Sequence, residues 1–496
     1  MRGALYLLGY DYGASNGRAI HGAFDGEKLA INEIHRFPNE PVMLGGTLYW
    51  DILRLYDQMR QGLQKAAQAG IAPASVGLDT WGVDFGLLDR NGVLLRNPVH
   101  YRDRRTEGMP EAAYAVMPRE KIFAHTGLAF MPFNTLYQLL ALRRDGDVSL
   151  EQARTLLFMP DLLAYFLTGE KGTEYTIAST AQMTNPRTRD WSPELLQAFG
   201  LPRALLTPIV EPCTVRGLLR PDLCEALGFS PKTRVVSVAQ HDTASAVAAV
   251  PARGRRFAYI SSGTWSLLGI ETDAPVVSEG VMRANYTNEG GICGTTRVLN
   301  NIMGMWMIQE CRRAWLQEGA CEDFAGLAAL AARETPFRSL VDPDDARFLP
   351  PGDMPGRIRD YCRETGQPVP QTRGQVARTI YESLALKYRW AVGRLERDIL
   401  GDAIDCLHIV GGGSRNTLLN QMTANAVGRP VVAGPGEATA IGNLLAQAMA
   451  LGELDSLDSL RAVVRASFDT REFMPEHAAV WEEAYGRFLA LTGLED

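Results

Sequence analysis

LYLLGYDYGASNGRAIHGAFDGEKLAINEIHRF, residues Leu5–Phe37, decides how the rest of the chain is read. Its apolar runs are short and are broken twice by turn chemistry, at Gly13–Gly17 and at Asp25-Gly26. Three strands joined by tight turns are expected, because Asn-Gly and Asp-Gly pairs tolerate the backbone that hairpin turns require. A helical stretch at 51–70 then leads to a strand, ASVGLDT (74–80), and a second hairpin is expected at DRNG (89–92). The region 100–230 is richer in proline and in helical pattern, as in PFNTLYQL (132–139) and MPDLLAYFLTG (159–169). Strand grammar returns after 233. RVVSVAQ (234–240) runs into a helix, and RRFAYISSGTWSLLGIET (255–272) reads as strand, turn, strand. DCLHIVGGG (405–413) is a strand that ends in glycines ahead of the helix NTLLNQMTANAVG (416–428).

A hairpin with a small, polar, glycine-bearing turn therefore occurs twice, as YDYGASNGR (10–18) and SSGTWS (261–266), each opening a block of strands followed by helices. At 496 residues the chain exceeds what one core supports. Two α/β halves are expected, 1–240 and 241–496, facing a central cleft. An apolar fraction of 46% and a charged fraction of 22% are those of a globular protein. A net charge of −7 argues against a general nucleic-acid or membrane-surface binder. The opening MRGALYLLGYDYG is too short for a signal peptide, so a cytoplasmic location is expected. Seven cysteines without CxxC spacing point to reduced thiols rather than a zinc site.

The two turns suit phosphates. Backbone N–H groups converge on an anion only where side chains leave room, which favours glycine and small hydroxyl residues. Gly13, Ala14, Ser15, Asn16, Gly17 and Arg18 supply such a turn in the first half; Ser261, Ser262, Gly263 and Thr264 supply one in the second. The same residues also suit plain hairpin turns. A third cluster, Gly411-Gly412-Gly413, leaves a strand for a helix whose start can take a phosphate. Neither a P-loop nor a dinucleotide-binding GxGxxG with its downstream acid is present. Asp11, at the end of the first strand, is placed either to hold Mg²⁺ against phosphates or to cap the turn.

VSVAQHDTASAV (236–247) drives a strand straight into a His-Asp pair before the chain turns helical. Ligands in open α/β sheets bind off the carboxyl ends of strands, so His241 and Asp242 are candidates to face a ligand. Asp242 at a helix start is also a good N-cap. His241 reads either as a structural histidine or as a contact to a sugar hydroxyl. Trp81 either stacks on a sugar face or fills core. Arg102, Arg104 and Arg105 read as a solvated loop, and Met303, Met305 and Met307 as packing.

Taken in order, DTWGVDFGLLD (79–89), YRDRRT (101–106), PFNTLYQL, MPDLLAYFLTG, QHDTASAV (240–247), SSGTWSLLG (261–269), TNEGG (287–291), NNIMGMWMIQ (300–309), HIVGGGSRNTLLNQ (408–421) and AGPGEATAIGN (433–443) resemble the FGGY carbohydrate kinases, and within them the kinases of L-rhamnulose. The resemblance implies two ribonuclease-H-like, actin-like ATPase domains holding a ketose and ATP·Mg²⁺ in the cleft. It implies transfer of the γ-phosphoryl group to the C1 hydroxyl of L-rhamnulose, with L-fuculose, L-xylulose or L-ribulose as the alternative ketose. Carried over residue by residue, the base is Asp242. Nucleotide contacts fall on Gly13 to Arg18, Gly263, Thr264, Gln309 and Gly412. Sugar contacts fall on Trp81, Gly82, His241, Asp242 and Asn301, and the metal goes to Asp11. Gln240 stands where the pattern has serine, and Tyr10 and Tyr12 flank Asp11 where it has smaller residues, substitutions expected to tune the pocket. No nucleic-acid or membrane partner is implied; monomer and dimer remain open. A sugar sensor without turnover would show damage at Asp242 or at a phosphate turn, and neither is damaged. An actin- or Hsp70-like switch would not need the His-Asp pair.

Overall fold

The computed structural model describes residues 4–495. Two compact units emerge, and neither is a continuous half of the chain. The first comprises 1–249, 271–298 and 438–467; the second comprises 250–270, 299–437 and 468–496.

The opening stretch forms three antiparallel strands, Leu5–Tyr12, Asn16–Phe24 and Leu29–Pro38. Their second turn closes because the Asp25 carboxylate accepts the Glu27 and Lys28 N–H groups at 2.8 and 2.7 Å while Gly26 adopts φ 102°. On the far side of the first strand lie Ser75–Thr80 and Arg234–Ser237 in parallel, then Thr214–Leu218 antiparallel at the edge. The helix Ile52–Gln68 covers one face; Asp51 caps it through the Arg54 N–H, and Ile52, Leu55, Met59, Leu63 and Ala66 point inward at helical spacing. Tyr10 and Tyr12 are fully buried beneath it, their hydroxyls donating to the Met59 and Leu55 carbonyls. They face away from Asp11, since neighbours on a strand alternate sides, so they build core rather than tune a pocket.

The opposite face receives the helix Ala438–Ala450. Asn443 donates to the Tyr10 carbonyl and to Asp79; Gln447 donates to the Leu8 carbonyl and accepts from the Ser75 hydroxyl. This helix also crosses Asp242–Ala248 so closely that a Cβ on Gly442 would lie 1.8 Å from the Ser245 carbonyl oxygen. Glycine is required there.

The turn expected at 89–92 forms and the chain returns antiparallel, but only briefly: Asp89 N–H donates to the Val93 carbonyl at 2.9 Å, Leu95 N–H donates to the Leu87 carbonyl at 3.0 Å, and Leu88 bridges Leu94. The Asp89 carboxylate braces the turn by taking the N–H groups of Asn91 and Val93, both at 2.8 Å. On its other side Phe85–Leu88 pairs with Thr155–Phe158.

The second unit repeats the plan. Phe257–Ser262 and Trp265–Thr272 form a hairpin, Cys406–Val410 runs parallel to the first of them, and Val431–Ala433 and Arg471–Phe473 follow. In each unit a tight hairpin is joined by a parallel strand. Its turn thus sits where a parallel neighbour ends.

Candidate active site

In the first unit the turn between the first two strands is closed by Gly13 N–H donating to the Asn16 carbonyl at 2.9 Å. Register places Arg18 opposite Asp11, and the Arg18 guanidinium donates Nη2 and Nε to Asp11 Oδ2 at 2.7 and 3.0 Å. Gly17 has a steric reason to be glycine: a Cβ would lie 2.2 Å from the Phe37 ring. The parallel neighbour sets Asp79 beside Asp11. Asp79 is fully buried, accepts from Asn443 Nδ2 on Oδ2 at 2.6 Å, and leaves Oδ1 without a hydrogen bond. Burial, with the charge of Asp11 next in weight, pushes the Asp79 carboxyl well above the usual range.

His241 and Asp242 sit at the carboxyl end of the Arg234–Ser237 strand, where Thr80 N–H donates to the Gln240 carbonyl and Thr80 bridges His241. His241 is the N-cap and Asp242 the first helical residue, so the capping role expected of Asp242 shifts by one position. Asp242 Oδ1 accepts the Thr243 N–H at 2.6 Å and its hydroxyl at 3.1 Å. Its side chain is 31% exposed. Burial raises its pKa and the charge of Asp11 adds to this, while His241 opposes. A carboxylate at a helix N-terminus, held from one side and open on the other, can accept a proton.

The backbone beneath this pair is pinned from within. Glu174, fully buried, accepts the N–H groups of Thr176, Ile177 and Gln240 and the Thr176 hydroxyl; that hydroxyl in turn accepts His241 N–H at 3.1 Å. Burial outweighs these bonds and lifts the Glu174 carboxyl to about 7. Next to it Asp161 is lifted to about 8 by burial against its 2.8 Å ion pair with Arg216. On the other side His241 Nδ1 lies 3.2 Å from Glu289 Oε2, and the fully buried Arg297 lies 3.1 Å from the same oxygen. Gln240 is fully buried, with neither side-chain amide atom hydrogen-bonded.

Trp81 is 6% exposed, packs against Trp50 with ring centres 4.1 Å apart and planes tilted by 35°, and donates its indole N–H to Asp84, an arrangement that leaves little face for a ligand. Burial lifts Asp84 to about 6 although Trp50, Gln138 and Trp81 all donate to it. Gly82 faces the Thr180 side chain, where a Cβ would meet atoms at 3.1 Å. Of the basic run, Arg104 is solvent-exposed, whereas Arg105 is drawn in to donate to Gln138.

In the second unit Gly263 N–H donates to the Trp265 carbonyl at 2.8 Å and closes the turn. The Gly263 and Thr264 carbonyls accept from Met305 and Trp306, and the Thr264 hydroxyl donates to Gln309 Oε1 at 3.3 Å. Gly304 makes this possible: a Cβ would lie 2.6 Å from Ser266 N. Asn301 is half-buried on the strand Thr296–Met303, followed by the buried Met303, Met305 and Met307. The glycine run meets Ser262. A Cβ on Gly411 would lie 3.0 Å from the Ser262 carbonyl oxygen and one on Gly413 only 1.9 Å from its hydroxyl, whereas Gly412 has nothing within 4 Å. A short 3₁₀ turn, Gly412–Arg415, intervenes before the helix Thr417–Val427. So Asp11, the turn 13–18, Trp81, Gly82, His241 and Asp242 belong to the first unit, and Gly263, Thr264, Asn301, Gln309 and Gly412 to the second.

The model of the FGGY family of carbohydrate kinases, N-terminal domain, matches residues 6–249, and that of its C-terminal domain matches 258–451. The chain belongs to the FGGY family of carbohydrate kinases. Among FGGY relatives, a rhamnulokinase of Bacteroides thetaiotaomicron is 49% identical over 96% of this chain and 97% of its own. A rhamnulokinase of Bacillus subtilis is 43% identical over 94% of each. Solved structures give the fold: xylulose kinase from Lactobacillus acidophilus superposes with a TM-score of 0.82 at 16% identity over 98% of each chain. Plasmodium falciparum glycerol kinase with ADP superposes with a TM-score of 0.79 at 16% identity over 99% of each. The α/β, two-domain expectation for an FGGY kinase holds. Glu174, Asp79, Glu289 and Arg297 were not reached by reading the sequence, although Asp79 and Glu289 lie inside the quoted motifs DTWGVDFGLLD and TNEGG. Among the described residues no helix is long and apolar enough to cross a membrane, and no cluster of three or more His, Cys, Asp or Glu is arranged to hold a metal.

Proposed function

We propose that the chain transfers the γ-phosphoryl group of ATP to the C1 hydroxyl of L-rhamnulose, in the cytoplasm, giving L-rhamnulose 1-phosphate and ADP. The identity to rhamnulokinases over nearly the whole chain supports the substrate. The observation that carries the chemistry is Asp242, a half-buried carboxylate at a helix start with one face open.

Phosphoryl transfer asks for alignment, charge neutralisation and an acceptor for the hydroxyl proton. Asp242 is the acceptor, and His241 and Gly82 orient the sugar beside it. Asn301 is a further sugar contact. The turns at Gly13–Arg18 and Gly263–Thr264 offer phosphate oxygens the N–H groups left over once Gly13 and Gly263 have closed them, the Thr264 hydroxyl donates there on turning from Gln309, and the open face of Gly412 lets the nucleotide approach the backbone. In this reading residues 1–240 with the His-Asp pair serve the sugar and the first phosphate turn, and the remainder serves the nucleotide.

The residues present fit Mg²⁺. Asp11, whose Oδ2 is taken by Arg18, and Asp79 are adjacent hard-oxygen donors, Asp79 Oδ1 is an orphaned buried oxygen, and the Asp79 carboxyl feels the charge of Asp11. Two protein carboxylates suit an ion that keeps waters and phosphate oxygens as its remaining ligands. Bound there, the ion would offset negative charge on the phosphates.

A coupled ADP-release assay across L-rhamnulose, L-fuculose, L-xylulose and L-ribulose tests the reading. L-Rhamnulose is expected to give the highest kcat/KM. A site that hydrogen-bonds one hydroxyl arrangement rejects its epimers strongly, so preference for another ketose would reassign the substrate while leaving the chemistry intact.

A further inference from the structure

Resting on Asp242 as the base, we propose that Glu289, backed by Arg297, is a positioning residue for the reaction: it takes the Nδ1–H of His241 and thereby turns the Nε2 lone pair onto Asp242, so that the proton leaving the ketose hydroxyl has a second stop.

The geometry is that of a chain of four charged or titratable groups. Asp242 Oδ1 lies 3.4 Å from His241 Nε2; His241 Nδ1 lies 3.2 Å from Glu289 Oε2; Glu289 Oε2 lies 3.1 Å from Arg297 Nη2. Arg297 Nη2 also lies 3.2 Å from Nδ1. A carboxylate and a guanidinium thus both face one ring nitrogen. Two contacts weigh for Glu289 as the group that sets the tautomer. Arg297 is fully buried and anchored elsewhere, its Nε donating to the Gly290 carbonyl at 2.7 Å and Nη2 to Glu289. Glu289 accepts from both, and a carboxylate is the stronger hydrogen-bond partner for an imidazole N–H. Burial opposes charge on Glu289, but Arg297 and His241 outweigh it and hold its carboxyl below the usual range. The negative charge is therefore present where His241 needs it.

The assembly is also fixed in space. His241 N–H is held by the Thr176 hydroxyl, and Gly290 N–H, one residue from Glu289, donates to the Ser179 hydroxyl at 2.8 Å. One short segment, 174–179, thus grips both the backbone that carries the histidine and the strand that carries its partner. A structural salt bridge alone does not need this: Arg297 and Glu289 satisfy each other without a histidine between Glu289 and the base.

The proton balance is as follows. As the C1 oxygen bonds to phosphorus, its O–H breaks and Asp242 gains the hydrogen; Asp242 can then give it to Nε2. The resulting imidazolium lies between two carboxylates, one of them compensated by Arg297. Loss of the proton to water resets the site.

Glu289→Gln keeps an oxygen acceptor for Nδ1–H and removes the charge. The expected result is kcat lowered by about 10- to 100-fold, with KM for ketose and for ATP within about threefold of wild type. Nitrogen-15 NMR of the imidazoles, with His241 assigned among the seven histidines by its loss in His241→Gln, is expected to show the neutral ring protonated on Nδ1. An unchanged kcat in Glu289→Gln overturns the proposal, and so does a neutral His241 protonated on Nε2. If Glu289→Gln does not fold, the wild-type spectrum alone decides. Failure of the underlying reading is separable: normal turnover in Asp242→Asn removes the base, whereas a dead Asp242→Asn with a fully active Glu289→Gln removes only the positioning role.

Discussion

Asp242→Asn separates activity from stability. The amide oxygen of asparagine replaces Oδ1 and keeps both bonds from Thr243, so the helix start survives. What disappears is a charge that the fold holds at a cost, since burial and Asp11 already push this carboxyl upward. A carboxyl whose folded pKa is raised weakens the fold once ionised, so removing its charge leaves the melting temperature unchanged or higher at neutral pH. Turnover should move the other way. A positioned base is worth roughly 10²–10⁴-fold, about 3–5 kcal/mol in the barrier, and asparagine has no lone pair basic enough to replace it. Steady-state ADP release with L-rhamnulose reads kcat, and calorimetric titration reads binding of ketose and nucleotide, both expected near wild type. Turnover within about fivefold of wild type, in a variant that binds both ligands, would refute the assignment.

The glycine run gives a paired test. Gly413→Ala forces a methyl against buried Ser262 and is expected to destabilise by about 1–3 kcal/mol in urea melts, whereas Gly412→Ala meets nothing within 4 Å, leaves stability alone and raises the KM for ATP. Thr264→Ala removes the hydroxyl that Gln309 orients; kcat/KM for ATP should fall about tenfold with the ketose KM unchanged. Glu174 makes stability depend on pH. Its carboxyl is lifted from 4.5 to about 7 by burial, so its contribution is full below the unfolded value and is lost as pH rises from about 4.5 through about 7. That amounts to about 3 kcal/mol, read as the change with pH in the difference between wild-type and Glu174→Gln unfolding free energies; a flat difference refutes it.

The legible parts of this chain are those whose physics is local. Gly13–Gly17, Ser261–Thr264 and Gly411–Gly413 announce turns through backbone freedom and small side chains, and QHDTA announces a strand running into a helix. Each needs only its immediate neighbours to be understood. Glu289 and Glu174 were opaque for the opposite reason. Glu174 acts on the Gln240 N–H across 66 residues of sequence. A glutamate in TNEGG looks like any loop acid until strand pairing carries it inside. Tyr10 and Tyr12 misled in the same way: beside Asp11 in sequence, they belong to the opposite face of the strand. The turn at Asp89–Gly92 was legible as a turn, whereas the longer pairing of Phe85–Leu88 with Thr155–Phe158, nearly seventy residues on, was not.

The helix Ala438–Ala450 donates to carbonyls of the very first strand, from positions more than four hundred residues downstream. During synthesis, therefore, the amino-terminal sheet leaves the ribosome with Asp79 and the Leu8 carbonyl still waiting for Asn443 and Gln447. Its maturation comes last although its residues are made first. Expression of residues 1–249 alone should yield an unfinished, aggregation-prone species; supplying 438–467 as a separate peptide returns Asn443 and Gln447 but still leaves the unit without 271–298.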